Sequence, residues 1–183
     1  MPYDYNRVPV TPGYRIEGDT EASDYINASF VKDVFTETPR VYIAAQGPGP
    51  DTTPAFWTMV WQYRVSVVVM LTSCVETSDS GIGGMVKCSK YWPDNVGDVR
   101  KFGDIQVQLF DRAEVRTECD IACNPDHVTQ APNYCVRKLD VTRSSKGGLG
   151  GQDNGRVIVH LQLTDWPDRY STHVAHTGTV HMY

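Results

Sequence analysis

The chain has 183 residues, enough for one ordinary domain with a real core. Its formal net charge is −5, which gives no general attraction to nucleic acid or acidic lipid. No apolar run is long enough to cross a bilayer, and the opening MPYDYNRVPV lacks the basic-then-apolar pattern of a signal peptide. Five cysteines at irregular spacings then read as reduced thiols, and the cytosol is the expected compartment.

Residues 1–22 are punctuated by Pro9, Pro12, Gly13 and Gly18 and read as an extended entry segment over the surface. Tyr25–Val31 is a strand candidate, 36–40 a turn, and Val41–Ala45 a second strand stopped by Gln46-Gly47-Pro48. Asp51, Thr52 or Thr53 can cap a helix with Pro54 in its first turn. Phe56, Met59, Val60 and Tyr63 share one face of that helix, and Trp57 and Trp61 adjoin it, so these aromatics are core. Val65–Leu71 is almost wholly apolar, as in a strand covered on both faces. A helix followed by such a strand is half of a parallel crossover unit, so a mixed sheet with helices packed on it is expected.

Thr72–Met85 is polar and Gly-rich and reads as a mobile loop bracketed by Glu76 and Lys87. Ile105, Val107 and Leu109 alternate as a strand. Residues 111–133 are polar and irregular, an insertion between strands that could hold a short helix. Tyr134–Val141 returns to strand, and 144–155 has a flexible-linker composition that suits an enlarged hairpin tip. The stretch Arg156–Asp168 then alternates: Val157, Val159, Leu161 and Leu163 face one way, Ile158, His160 and Gln162 the other. Pro167 has no N–H and ends the ladder, and Trp166 before it is pushed towards an extended conformation. An indole there can anchor the loop and hold the Asp168 carboxylate beyond the sheet edge. Alone, the tripeptide is better explained by a strand stop and a turn Asp.

Metal sites are weak readings. Cys119, Cys123, His127 and Cys135 fit no common zinc spacing. His173 and His176 would meet on a helix, but no carboxylate or cysteine stands near, and a solvated tail explains them. Glu76 and Lys87, taken alone, could be ordinary solvated charges on a flexible loop.

Several segments together carry more than any one of them. PYDYNRVPV, SDYINASF, YIAAQGP, FWTMVW, VVVML, KCSKYWP, CVRKLDV and TDWPD follow one another over residues 2–168. In that order they resemble the N-terminal and central part of the classical protein-tyrosine phosphatase domain. The resemblance implies an α/β fold in a single domain over 1–183, a twisted mixed β-sheet flanked by helices, incomplete at both ends. It implies a tyrosine-specific hydrolase that forms a cysteinyl-phosphate intermediate, with phosphotyrosine-containing protein as substrate, and needs no cofactor or metal. Residue by residue it makes Asp168 the general acid, Trp166 and Pro167 the loop anchor, and Glu76 and Lys87 supporting loop residues. Arg7 takes a structural role.

The family's nucleophile signature, His-Cys, five residues, Arg, does not occur. Ser80, Asp94, Pro125, Thr129 and Val141 stand six positions after the five cysteines. The net negative charge would also work against capture of a phosphate ester unless a local positive pocket supplied it. Three readings stay open: part of a working phosphatase, with this chain inactive alone; a non-catalytic binding or scaffold module; or a gene remnant that does not fold.

Overall fold

The computed structural model describes residues 2–11, 23–33, 40–77, 84–115, 134–144 and 155–163. The features expected at 12–22, 36–39, 116–133, 145–154 and from Thr164 onward lie outside them. The described elements run β1 (Ala28–Lys32), β2 (Val41–Ala45), α1 (Thr53–Gln62), β3 (Val67–Met70), β4 (Val75–Thr77), β5 (Gly84–Val86), β6 (Val99–Phe102), β7 (Ile105–Val115), β8 (Tyr134–Arg143) and β9 (Arg156–Leu163).

Five strands form a mixed sheet in the order β3-β9-β8-β7-β6, and β1-β2 and β4-β5 are antiparallel ladders of their own. Among the described strands of the large sheet only β3 and β9 run parallel, with Val67 opposite Val159 and Met70 opposite Gln162. The parallel partner of β3 is β9 and not the strand before α1, since β2 belongs to a separate ladder, so α1 does not close a parallel crossover as expected; the fold is the α/β mixed-sheet class.

α1 begins where Pro54 can stand without an N–H, but its N-cap Thr52 makes no side-chain cap bond. The Thr52 hydroxyl instead accepts from the Gly49 N–H at 2.9 Å, and Thr53 donates to the Gly49 carbonyl at 2.8 Å. The two threonines thus fold the Gly-Pro turn onto the helix start. Phe56, Trp57, Met59 and Val60 are buried, as their spacing requires. Trp57 lies parallel to Phe102 of β6 at 6.2 Å, and its indole N–H donates to the Tyr91 carbonyl at 2.8 Å.

Four other expectations need correction. The entry segment does not simply cross the surface: Val8 and Val10 are fully buried, and their N–H groups donate to the carbonyls of Ala28 and Asp24. An extended segment that pairs with β1 gains both a ladder and a place for alternate apolar side chains. β3 is not covered on both faces. Among the described residues, Val67, Val69 and Leu71 are about half exposed, on the side of the strand away from buried Met70. The two ends of the 72–85 loop are not irregular: they pair as β4 and β5, Glu76 standing opposite Met85. Finally, β7 does not end at Leu109. A bulge between Leu109 and Asp111 leaves Phe110 unpaired, and pairing with β8 resumes through Val115. The extra residue breaks the alternation, so buried Ile105, Val107 and Leu109 give way to an exposed, polar continuation.

β6 was not expected from the sequence. A two-residue turn, Gly103-Asp104, closes it onto β7, and Gly103 takes φ +65°, a conformation that favours glycine. Arg143 of β8 donates to Asp104 at 2.8 Å and ties that turn to the next strand. Arg7 and Asp24 form an ion pair at 3.0 Å, which matches the structural role expected of Arg7.

Candidate functional site

The parallel pairing of β3 and β9 decides where a site can form. In open α/β sheets, ligands bind beyond the carboxyl ends of the strands. β3 and β9 end side by side, and the Gln162 amide donates to the Thr72 carbonyl at 3.3 Å just past the end of β3. The β4–β5 hairpin leaves from this same edge within a few residues of Met70, and Lys87 follows directly on β5. Lys87 is half-buried. Leu163, the last residue of β9, leads into Thr164–Asp168 from that edge as well. Asp168, Trp166 and Pro167 themselves lie outside the described residues, and of Glu76 only its backbone position in β4 is described.

A buried polar cluster supports this edge from within, and the sequence reading did not single it out. Ile158, His160 and Gln162 turn inward from β9, while Val157 on the opposite face is 55% exposed. The Arg137 guanidinium lies 3.3 Å from His160 Nδ1 and donates to Gln162 Oε1 at 3.1 Å. Guanidinium can only donate, so Nδ1 accepts, and the imidazole proton sits on Nε2, 2.9 Å from the Tyr91 hydroxyl. Burial, and then the neighbouring Arg137 charge, lower the His160 pKa to about 3, so the ring is neutral. Burial also lowers the Arg137 pKa and raises that of Tyr91. Arg137 stacks over the Trp92 ring at 4.7 Å, and Tyr91 meets Trp92 edge-on. The KCSKYWP segment is thus pinned across the sheet's inner face, and its start, Lys87-Cys88, is held where β5 returns.

Two signals in the sequence could have found this cluster: polar residues at inward positions of an otherwise apolar strand, and an Arg at the matching position of the neighbouring strand. Arg137 and His160 are cross-strand partners in register.

Beside the edge lies a cleft of about 490 Å³ between the Gln46–Pro48 turn and β3. Phe56, Met59 and Val60 of α1 line it, with Cys88 and Tyr91. The lining is largely apolar. Gly47 approaches Cys88 so closely that an added Cβ would stand 2.7 Å from the Cys88 Cβ. Burial, and then Cys74, push the Cys88 pKa up to about 12, so the thiol is protonated. Cys135 is buried as well. Cys119, Cys123 and His127, like His173, His176 and His181, lie outside the described residues.

The family model for protein-tyrosine phosphatase matches residues 1–180. The chain is 37% identical over 168 residues to human receptor-type tyrosine-protein phosphatase C, a match that covers 92% of the chain and 10% of that protein. The mouse counterpart is 38% identical over 168 residues, again 92% and 10%. Human receptor-type tyrosine-protein phosphatase alpha is 33% identical over 168 residues, 92% of the chain and 17% of the relative. The chain thus spans about a tenth of the length of the first of these relatives. Among the described residues no helix is long and apolar enough to cross a membrane.

Proposed function

Because this chain belongs to the protein-tyrosine phosphatase family, matched over residues 1–180, we propose that it is part of a single phosphatase domain that hydrolyses phosphotyrosine in proteins. The route is a cysteinyl-phosphate intermediate. A thiolate attacks phosphorus, and Asp168 donates a proton to the leaving phenolate. The same carboxylate then activates water against the phosphocysteine. Trp166 and Pro167 anchor the loop that carries Asp168, and Glu76 and Lys87 support the site from the β4–β5 hairpin. No cofactor or metal enters this chemistry. The cytosolic compartment is part of the same reading.

The observation that carries it is the exit of β9. That strand ends beside the carboxyl end of β3, at the edge from which the β4–β5 hairpin also springs. Asp168 follows this exit after a short Thr-Asp-Trp-Pro stretch. A loop leaving a strand end can swing over a substrate and shut out water. An acid at that place needs a raised pKa, which apolar neighbours such as Trp166 would supply.

The nucleophile is not among residues 1–183, since none of the five cysteines has Arg six positions later. The 183-residue chain alone is therefore expected to turn over no aryl phosphate. The test is Asp168→Ala in a version of the domain that carries a Cys-x5-Arg loop. Aryl phosphate turnover should fall about 10²–10⁴-fold, and an unchanged rate would sink the role. A second reading, a non-catalytic binding module, is favoured by the same missing signature. Binding of a phosphotyrosine peptide by the 183-residue chain without turnover would support it.

A further inference from the structure

Cys74 and Cys88 stand at the two feet of the β4–β5 hairpin. Their sulfurs are 3.8 Å apart. The Cys74 carbonyl accepts from the Lys87 N–H at 2.8 Å and from the Cys88 N–H at 3.4 Å, so the backbone holds the two residues face to face. A disulfide needs its sulfurs at ~2.0 Å, which a side-chain rotation can reach when the backbones are already adjacent. The two thiols are not equivalent. Cys88 is 5% exposed, and its side chain is braced against Gly47, while Cys74 is partly exposed.

We propose that Cys74 and Cys88 form a reversible intramolecular disulfide under oxidation by a hydroperoxide, closing the base of the β4–β5 hairpin. Cys74, the accessible thiol, reacts first as its thiolate. Its sulfur takes the terminal oxygen of the hydroperoxide, the O–O bond breaks, and the remaining alkoxide or hydroxide takes up a proton, leaving a sulfenic acid. The Cys88 sulfur then attacks the Cys74 sulfur. An S–S bond forms, the S–O bond breaks, and the hydroxyl leaves with the Cys88 proton as water. Two thiols and one hydroperoxide thus give a disulfide, one alcohol or water, and one water. Burial keeps Cys88 from meeting the oxidant itself; its raised pKa slows its attack, and the 3.8 Å approach to Cys74 is what lets it resolve the sulfenic acid of its neighbour.

The proposal is independent of phosphate-ester hydrolysis and is tested on the full 183-residue chain. Trypsin cuts after Arg64, Lys87 and Lys90, so Cys74 falls in peptide 65–87 and Cys88 in 88–90. The reduced protein is treated with graded hydrogen peroxide, the remaining thiols are alkylated, and the digest is weighed. The expected result is a linked species, 65–87 with 88–90, lighter by two hydrogens than its two peptides. It should form at doses that leave Cys135 alkylated and vanish on treatment with dithiothreitol. Cys74→Ser and Cys88→Ser should each abolish it. Separate alkylation of both residues, a sulfinic acid on Cys74 beside a free Cys88, or linkage of Cys74 to Cys119, Cys123 or Cys135 would overturn the proposal. These readings come from the wild-type protein and stand even if a variant fails to fold.

Discussion

Gly47 shows how far one residue's missing side chain can decide a local structure. The turn after β2 passes so close to Cys88 that a methyl group would stand 2.7 Å from that residue's Cβ, with the Lys87 carbonyl 3.8 Å away. Gly47→Ala should cost about 1–3 kcal/mol, the usual penalty of overpacking a closed contact. A shift in the urea midpoint with an unchanged slope would measure it. His160 makes the complementary point about a buried polar group. Its pKa is about 3 in the fold, against an ordinary value near 6.5. Between those values the unfolded chain binds the extra proton and the folded one does not. Stability is therefore whole above about pH 6.5 and is lost as pH falls towards 3, by on the order of a few kcal/mol. Denaturation followed at pH 7.5 and pH 4.5 should show the loss in the wild type and a smaller one in His160→Gln. Equal losses in both would place the dependence on other groups.

At the scale of elements, α1 and β7 illustrate what periodicity does and does not reveal. The apolar spacing of α1 is legible because one face meets the sheet, and Phe56, Trp57, Met59 and Val60 are buried accordingly. Its bond to the rest of the molecule was not legible. The Trp57 indole donates to the carbonyl of Tyr91, which is 34 residues away in sequence. Trp57→Phe keeps most of the ring and strands that buried carbonyl, so about 1–3 kcal/mol of stability should be lost. Thermal unfolding of the variant would show it, and an unaltered melting temperature would mean that the carbonyl finds another donor. β7 was underestimated because the bulge at Phe110 shifts the pattern by one residue, which makes a continuing strand look like the start of a loop. The Gly103-Asp104 turn that creates β6 is a recognisable hairpin signal. It was missed because Val99–Phe102 includes two adjacent cations and no alternation.

For the whole molecule, the asymmetry of the large sheet matters most. One face carries α1, the KCSKYWP segment and the Arg137–His160–Gln162 cluster, while Val67, Val69, Leu71 and Val157 are exposed on or beside the other. Substitutions should follow that division. Val69→Thr and Val157→Thr should each change stability by no more than about 0.5 kcal/mol, whereas Ile158→Ala, from a fully buried site in the same strand, should cost about 2–5 kcal/mol. Chemical denaturation of the three variants would check this, and comparable losses at Val69 and Ile158 would show that both faces are covered in solution.

The family is legible in the chain alone, through a series of short segments in one order, and with it the mixed-sheet fold class. That no cysteine here is followed by an Arg six positions on is legible in the same way, because such signatures are local and survive without a structure. Asp168, Trp166 and Pro167 rest on that reading. Which face of β9 is buried is settled by packing, since Val157 and Ile158 are equally apolar and the choice depends on which face of the sheet meets the core. Packing also joined Arg137, His160, Gln162 and Tyr91 into one cluster, and brought Cys74 within 3.8 Å of Cys88. Those contacts depend on strand register and on a hairpin whose arms are separate in sequence. Register is set by the packing of the whole sheet, not by any one segment.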